Sequence, residues 1–292
     1  MIDVSSPAVV KELLNRNKLA CRKSLGQNFL VDANISNKIV AAANLSGADL
    51  VVEIGSGLGA LTLPMARVAG QVLAVEIDRG LVGLLSQITA ATGKVTIVAG
   101  DALKTDLDAL VTEQSGGLYG LGGKPYKLVA NLPYYIASPL LMHLLGQRFN
   151  LSELVVMVQY EVAVRLAAEA GSKAYGVLSV AAQYYSRVEL LFRLPGTVFY
   201  PTTAVDSAVV RLTPRRLPEA AEAEETFFKV VRAAFAKRRK TLLNTLASGL
   251  GVEKQRLAPV LKEVGLDPTR RGETLTLADF TALTAQILKS FK

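Results

Sequence analysis

Leu50-Val51-Val52-Glu53-Ile54-Gly55-Ser56-Gly57-Leu58-Gly59-Ala60 is an aliphatic segment, interrupted once by Glu53, that breaks into glycines and then into helical periodicity. So aliphatic a segment, even with one acid inside it, reads as a strand covered on both faces, as strands of parallel sheets are. The glycines let the backbone pass close to a ligand, and the helix start beyond them presents unpaired amides to it. From here the chain alternates. Strands are expected near 49–54, 71–76, 94–99, 126–131, 153–158, 187–193 and 207–213. Helices are expected near 59–68, 79–90, 105–112, 138–146, 159–169 and 176–184. That order predicts an α/β fold: a doubly wound, mostly parallel seven-stranded sheet, with the last two strands forming an antiparallel pair at one edge.

Outward from this core the pattern is less regular. Ser5-Ser6-Pro7 opens a helix over 5–18, with proline in its first turn. Arg22 to Leu30 is polar and glycine-broken, and a helix follows near 32–43. Anchored by Phe29 and Leu30, that segment either presents Gln27 and Asn28 to a ligand or is an ordinary surface loop. Gln114 to Lys124 is so rich in glycine that a mobile loop without chemistry is expected. Pro214-Arg215-Arg216-Leu217-Pro218 reads as a linker, and the periodicity beyond it is helical. Two domains follow, 1–214 and a small all-α one over 215–292.

Composition narrows the function. Of 292 residues one is cysteine and one histidine, which rules out an internal disulfide framework and leaves no histidine-based metal site. No metal is expected. No apolar stretch approaches membrane-spanning length, so no membrane partner is expected and a cytoplasmic address is the default. The formal charge of +8 suits a polyanionic partner, nucleic acid above all, although many basic proteins have none.

Gly55, Gly57 and Ala60 fit a dinucleotide fingerprint, and Glu76, ending the next strand, stands where a ribose-binding carboxylate belongs. A nicotinamide dehydrogenase is one reading. Glu53, two residues before Gly55, aims negative charge at the same crevice, which disfavours a pyrophosphate and favours a cationic ligand. S-adenosylmethionine carries a sulfonium and an ammonium. Asp101, after the third strand, can accept from an adenine amino group with Leu103 beside the ring. Each acid alone is equally a helix cap.

Asn131-Leu132-Pro133-Tyr134 closes the strand near 126–131. Pro133 donates no ladder hydrogen bond and biases Leu132 away from helix, so the strand stops with an amide, two carbonyls and an aromatic ring at its carboxyl end. An exocyclic amine can donate to the Asn131 oxygen and a carbonyl of Leu132 or Pro133 while its ring stacks on the face of Tyr134. The alternative is a plain turn.

With these stretches the sequence resembles the KsgA-type ribosomal RNA adenine N6-dimethyltransferases, a family that includes the Erm resistance enzymes. Matching segments include Lys23 to Leu30, Val51 to Thr62, Ala74 to Asp78, Gly100 to Leu103, Asn131 to Tyr134, Tyr175 to Val180, Val205 to Val210 and Arg238 to Leu242. The resemblance implies a Rossmann-like methyltransferase domain and S-adenosylmethionine as donor. It implies dimethylation at N6 of two adjacent adenosines in a hairpin loop of small-subunit ribosomal RNA, on an assembling subunit, by a monomer. It carries donor contacts onto Gln27, Asn28, Leu30, Glu53, Gly55, Gly57, Glu76, Ile77, Asp101, Ala102 and Asn131, and acceptor roles onto Asn131, Leu132, Pro133, Tyr134 and Phe199. An Erm-like action on the large subunit, or a mainly non-catalytic assembly role, is the alternative. Two positions depart from the family pattern: Tyr160 stands where lysine is usual, and Thr203 where a second proline is usual.

Lys237-Arg238-Arg239-Lys240 is expected near the end of a helix that begins around Phe227. With Arg232 it is the candidate RNA contact, against the plainer reading of cations at a helix C-terminus.

Overall fold

A computed structural model describes residues 4–22, 25–215 and 221–291. Among these, the strands are β1 (Phe29–Leu30), β2 (Leu50–Ile54), β3 (Gln71–Glu76), β4 (Val95–Ala99), β5 (Tyr126–Asn131), β6 (Leu151–Gln159), β7 (Ser186–Leu194), β8 (Phe199–Tyr200) and β9 (Ser207–Pro214). Seven of the described strands form one sheet in the order β4-β3-β2-β5-β6-β9-β7. Strands β2 to β6 run parallel, and β9 pairs antiparallel with β6. All five residues of β2 are buried, Glu53 along with its four aliphatic neighbours.

The order reverses between β2 and β5. From β2 the chain winds outward through β3 to β4, then returns to place β5 on the other side of β2. The helices that leave β2 and β5 therefore diverge, and a crevice opens at the carboxyl ends of these two strands. Gly55 follows one end and Asn131 terminates the other.

The small β1–β8 ladder has no counterpart in the expected strands. Phe29 pairs with Tyr200 and Leu30 with Phe199, and the Val31 amide extends the ladder to the Val198 carbonyl at 2.8 Å. Two-residue strands have no periodicity to read. Their effect is to fasten Gln27–Leu30 beside the crevice.

The chain divides into two compact units, Met1–Ala163 with Arg187–Pro214, and Val164–Ser186 with Arg215–Lys292. The boundary expected at 214/215 therefore misses a segment. Helix Val177–Tyr185 packs with the C-terminal helices: Tyr175 and Val180 share a core with Phe227, Val231 and Phe280. Tyr184 stacks on Phe227 with ring centroids 4.4 Å apart, and the Tyr175 hydroxyl donates to the Leu275 carbonyl. Amphipathic spacing shows that a helix buries one face and is silent on what covers it.

Two further expectations change. Helix Ala221–Phe235 ends before the basic cluster, so Lys237–Lys240 lie in the turn that leads to helix Leu242–Leu250. The glycine-rich segment is hydrogen-bonded into one shape. The Gly117 amide donates to the Thr112 carbonyl, the Lys124 amide to Leu118, and the Asn150 side chain to the carbonyls of Gly120 and Gly123. Tyr119 is buried, its hydroxyl on the Ala48 carbonyl. The glycines serve positive φ and close approach rather than mobility.

Gly120 tests this directly. Its φ is +89°, and a Cβ there would sit 2.6 Å from the Asp108 carbonyl oxygen. Gly120→Ala is expected to lower stability by about 2 kcal/mol in urea unfolding, whereas a mobile loop would absorb the methyl without loss.

Candidate active site

Asn131 ends β5 opposite Met157, and the Leu132 amide takes one more bond from that strand, 3.0 Å to the Met157 carbonyl. Pro133 then stops the ladder. Its carbonyl accepts the Ile136 amide at 3.1 Å, which turns the chain into helix Ala137–Gly146. The Asn131 Nδ2 donates to the Asn28 carbonyl at 3.3 Å, which fixes the amide orientation. Its Oδ1 is buried and has no hydrogen-bond partner among the described residues. An unpaired buried acceptor is uncommon enough to need a reason, and a ligand donor supplies one.

Tyr134 is half-buried. Its hydroxyl bonds the buried Ser207 hydroxyl, and Phe199 meets its ring edge-on with centroids 6.3 Å apart. The ring is thus held at its tip and on its flank. Phe199 itself is 1% exposed and does not line the cleft, so it backs Tyr134 rather than facing a ligand.

The other half of the cleft is built on β2 and β3. Gly55 and Gly57 have φ of +72° and +56°, a left-handed turn that side chains resist. A Cβ on Gly57 would press on the Phe29 ring at 3.2 Å. Glu53 is 2% exposed and accepts from the Thr62 hydroxyl. Burial pushes its carboxyl up to about 8, against the Thr62 bond, and the nearby Glu76 adds to the rise. Both Glu76 oxygens accept backbone amides at 2.9 Å, Oε2 from Gly57 and Oε1 from Asp78. Burial raises this carboxyl too, while those amides oppose the rise.

Asp101 lies in the same cleft, with its Oδ1 on the Leu103 amide at 3.0 Å, so the turn-capping role is present. Oδ2 is 3.9 Å from the Lys104 ammonium. Leu30 and Ala102 are buried in the wall, and Ile77 stands 46% exposed over it. Gln27 and Asn28 also line the cleft. The Gln27 side chain is already occupied, donating to Asp78 and accepting the Arg22 amide, and the Asn28 Nδ2 bonds the Gly26 carbonyl. Of the donor and acceptor residues expected, all but Phe199 and Leu103 meet in this one cleft. Arg232 and Lys237–Lys240 belong to the other unit and are exposed; the Arg238 guanidinium approaches Glu273 and donates to the Lys173 carbonyl.

Sequence reasoning missed several groups. Asp78 caps helix Arg79–Thr89, and its buried carboxylate also ties down Gln27 at 2.9 Å and Arg22 at 3.4 Å. Its place after Glu76-Ile77 was the available signal. The Ser56 hydroxyl is a second buried polar atom without a partner among the described residues, and it lines the cleft. Tyr135 is 49% exposed over Gly26 at the rim, and burial with the charges of Asp101 and Glu76 raises its hydroxyl's pKa.

A family model, Ribosomal RNA adenine dimethylase, matches residues 18–283. The chain belongs to this family. It is 56% identical over 290 residues to the ribosomal RNA small subunit methyltransferase A of Pelotomaculum thermopropionicum, covering 99% of this chain and 98% of the relative. The protein of the same name from Moorella thermoacetica is 51% identical over 287 residues, covering 97% and 98%. Among solved structures, a dimethyladenosine transferase from Plasmodium falciparum superposes with a TM-score of 0.71 at 25% identity, over 88% of this chain and 96% of that one. The 23S rRNA methyltransferase ErmE shares the fold, with a TM-score of 0.67 at 22% identity over 89% and 99%. The family is one of S-adenosylmethionine-dependent ribosomal RNA adenine dimethyltransferases, and the cleft residues fit that donor. Buried Glu53 lacks a counter-charge, the Ser56 hydroxyl lacks a partner, and the turn between them admits a ligand close to the backbone.

Glu53 gives this site a pH signature. Its folded pKa, about 8, lies above its ordinary 4.5, so between these values the folded state holds more protons than the unfolded one. Stability of the free protein therefore falls as pH rises through that window. Glu53→Gln should recover a few kcal/mol at pH 8 relative to pH 5 in chemical unfolding, and should weaken donor binding. A variant whose stability falls with pH as steeply as the wild type would remove Glu53 as the cause.

Proposed function

We propose that the protein dimethylates N6 of two adjacent adenosines in a hairpin loop of small-subunit ribosomal RNA, during subunit assembly and as a monomer. The observation that carries the catalytic part is the buried, partnerless Oδ1 of Asn131 at the switch point of the sheet. Relatives at 56% and 51% identity bear a small-subunit name, while the likeness to ErmE is one of fold, and this favours the small subunit. Among the described residues no helix is long and apolar enough to cross a membrane, and a cytoplasmic ribosomal substrate accords with that.

Bound in the cleft, S-adenosylmethionine supplies a sulfonium methyl as electrophile. Glu53 is placed for the cationic end, its ionised form favoured beside a positive charge, Glu76 for the ribose, and Asp101 with Ile77 and Ala102 for the adenine. Asn131 Oδ1 accepts one proton of the acceptor N6. The Pro133 carbonyl already closes the turn to Ile136, so Leu132 supplies the second acceptor. Drawing both protons away directs the nitrogen lone pair, which is otherwise delocalised into the ring. Tyr134 offers its face to the flipped base, with Phe199 and Ser207 holding the ring. No strong base is required, because the nitrogen becomes acidic once alkylated.

Asn131→Ala should lower transfer by about a hundred-fold or more, with donor affinity by calorimetry falling far less than transfer. Labelled donor and immature small subunits, followed by mapping of the methylated adenines, test the reaction itself; near-wild-type transfer by the variant would overturn the amine alignment. Tyr134→Phe keeps the ring but strands the buried Ser207 hydroxyl, so it should lose stability by about 1 kcal/mol.

The second unit is proposed to grip the RNA backbone through Arg232 and the exposed turn Lys237–Lys240. Neutralising Arg238 and Arg239 should weaken subunit binding and lower its salt slope by roughly one unit per lost phosphate contact. An unchanged slope would reduce the cluster to solvated charge.

A further inference from the structure

Beside the acceptor end of the cleft stands a second planar group, formed by two residues to which the reading above gives no task. Tyr160 follows the last residue of β6, and its amide donates to the Asp206 carbonyl at 2.9 Å. This adds a rung beyond the Gln159–Ser207 pair of the β6–β9 ladder. Arg193, near the end of β7, lies with its guanidinium carbon 4.2 Å from the centroid of the Tyr160 ring. The Asp206 Oδ2 accepts from Arg193 twice, at 2.8 Å from Nε and 2.5 Å from Nη2.

An isolated surface ion pair leaves its arginine free to swing and adds little. Here the ring fixes the plane from one side and the carboxylate fixes it from the edge. The Arg193 side chain is still 57% exposed. Its charge is largely answered by Asp206, so what it offers outward is mainly a flat cationic face.

The location is specific. Ser207, next after Asp206, bonds the Tyr134 hydroxyl. Met157, three residues before Tyr160, pairs with Asn131. Three strand residues span roughly 10 Å, so the Tyr160 backbone lies about that far along β6 from the Met157–Asn131 pair, a span that an adjoining nucleotide can bridge. Single-stranded RNA is commonly held by stacking unpaired bases on aromatic rings and on guanidinium planes.

We propose that Arg193, seated on Tyr160 and oriented by Asp206, is a stacking platform for the base next to the adenine being methylated. The proposal rests on the RNA reading above and adds a positioning site to it. Such a site accounts for how an enzyme with one methyl-accepting pocket keeps an adjacent nucleotide ordered while its neighbour is extruded.

The test is equilibrium binding of the 292-residue chain to immature small subunits over a salt series. Arg193→Ala should bind about ten-fold more weakly with the salt slope unchanged, since a stacking face rather than a phosphate contact is lost. Tyr160→Ala should match it, and Tyr160→Phe should bind as the wild type does. Arg193→Lys keeps the charge without the plane and should fail to restore affinity. Thermal unfolding and donor calorimetry on each variant separate this loss from misfolding. Wild-type affinity in Arg193→Ala, full recovery in Arg193→Lys, or a slope lower by one unit would each overturn the platform, the last two pointing to a phosphate contact. A wild-type protein that binds subunits without methylating them would sink the proposed reaction, while the affinity comparison still decides the stack. Absence of subunit binding would end both.

Discussion

The hydrogen bond from the Asn131 side chain to the Asn28 carbonyl joins positions 103 residues apart. Much of the cleft depends on it. It orients the amide so that its oxygen, not its nitrogen, is left without a partner, and it ties the loop before β1 to the end of β5. The strand order makes the contact possible, because β5 returns to the side of β2 and opens the crevice that the loop covers. A sheet wound in one direction only would have no such opening.

Charge in the cleft is arranged with the same economy. Glu53, Glu76 and Asp78 are all buried, and Glu76 and Asp78 are answered by backbone amides or by Gln27 and Arg22. Glu53 has one hydroxyl and no counter-charge. Among these three buried carboxylates, Glu53 is the one without a charged partner or backbone amides, and that marks where a cation is expected.

The β2 run, the glycine turn and the Asn131 turn were legible because each rests on local chemistry: burial, positive φ and a proline that stops a ladder. What was not legible depends on partners distant in sequence. Asp78 reads as a helix cap, and only folding brings Gln27 and Arg22 to it. Phe199 was expected to face the base, but the β1–β8 pairing turns it into the wall behind Tyr134. Val177–Tyr185 has the spacing of a sheet-covering helix and packs with the C-terminal helices instead. The glycine-rich loop shows the same limit. Composition suggested freedom, whereas Asn150 and Tyr119 supply the bonds that hold it.

The β1–β8 ladder has a thermodynamic consequence. On one of its strands sits Leu30, in the donor wall; on the other sits Phe199, behind the acceptor's stacking ring. Two short strands therefore link the walls of the two proposed binding sites. Under the proposed roles, a displacement of Phe199 would move Leu30 with it, and linkage would require any resulting effect on binding to run equally in reverse. Such coupling would suit the proposed reaction, in which two methyl groups reach one nitrogen and the donor is exchanged between the transfers.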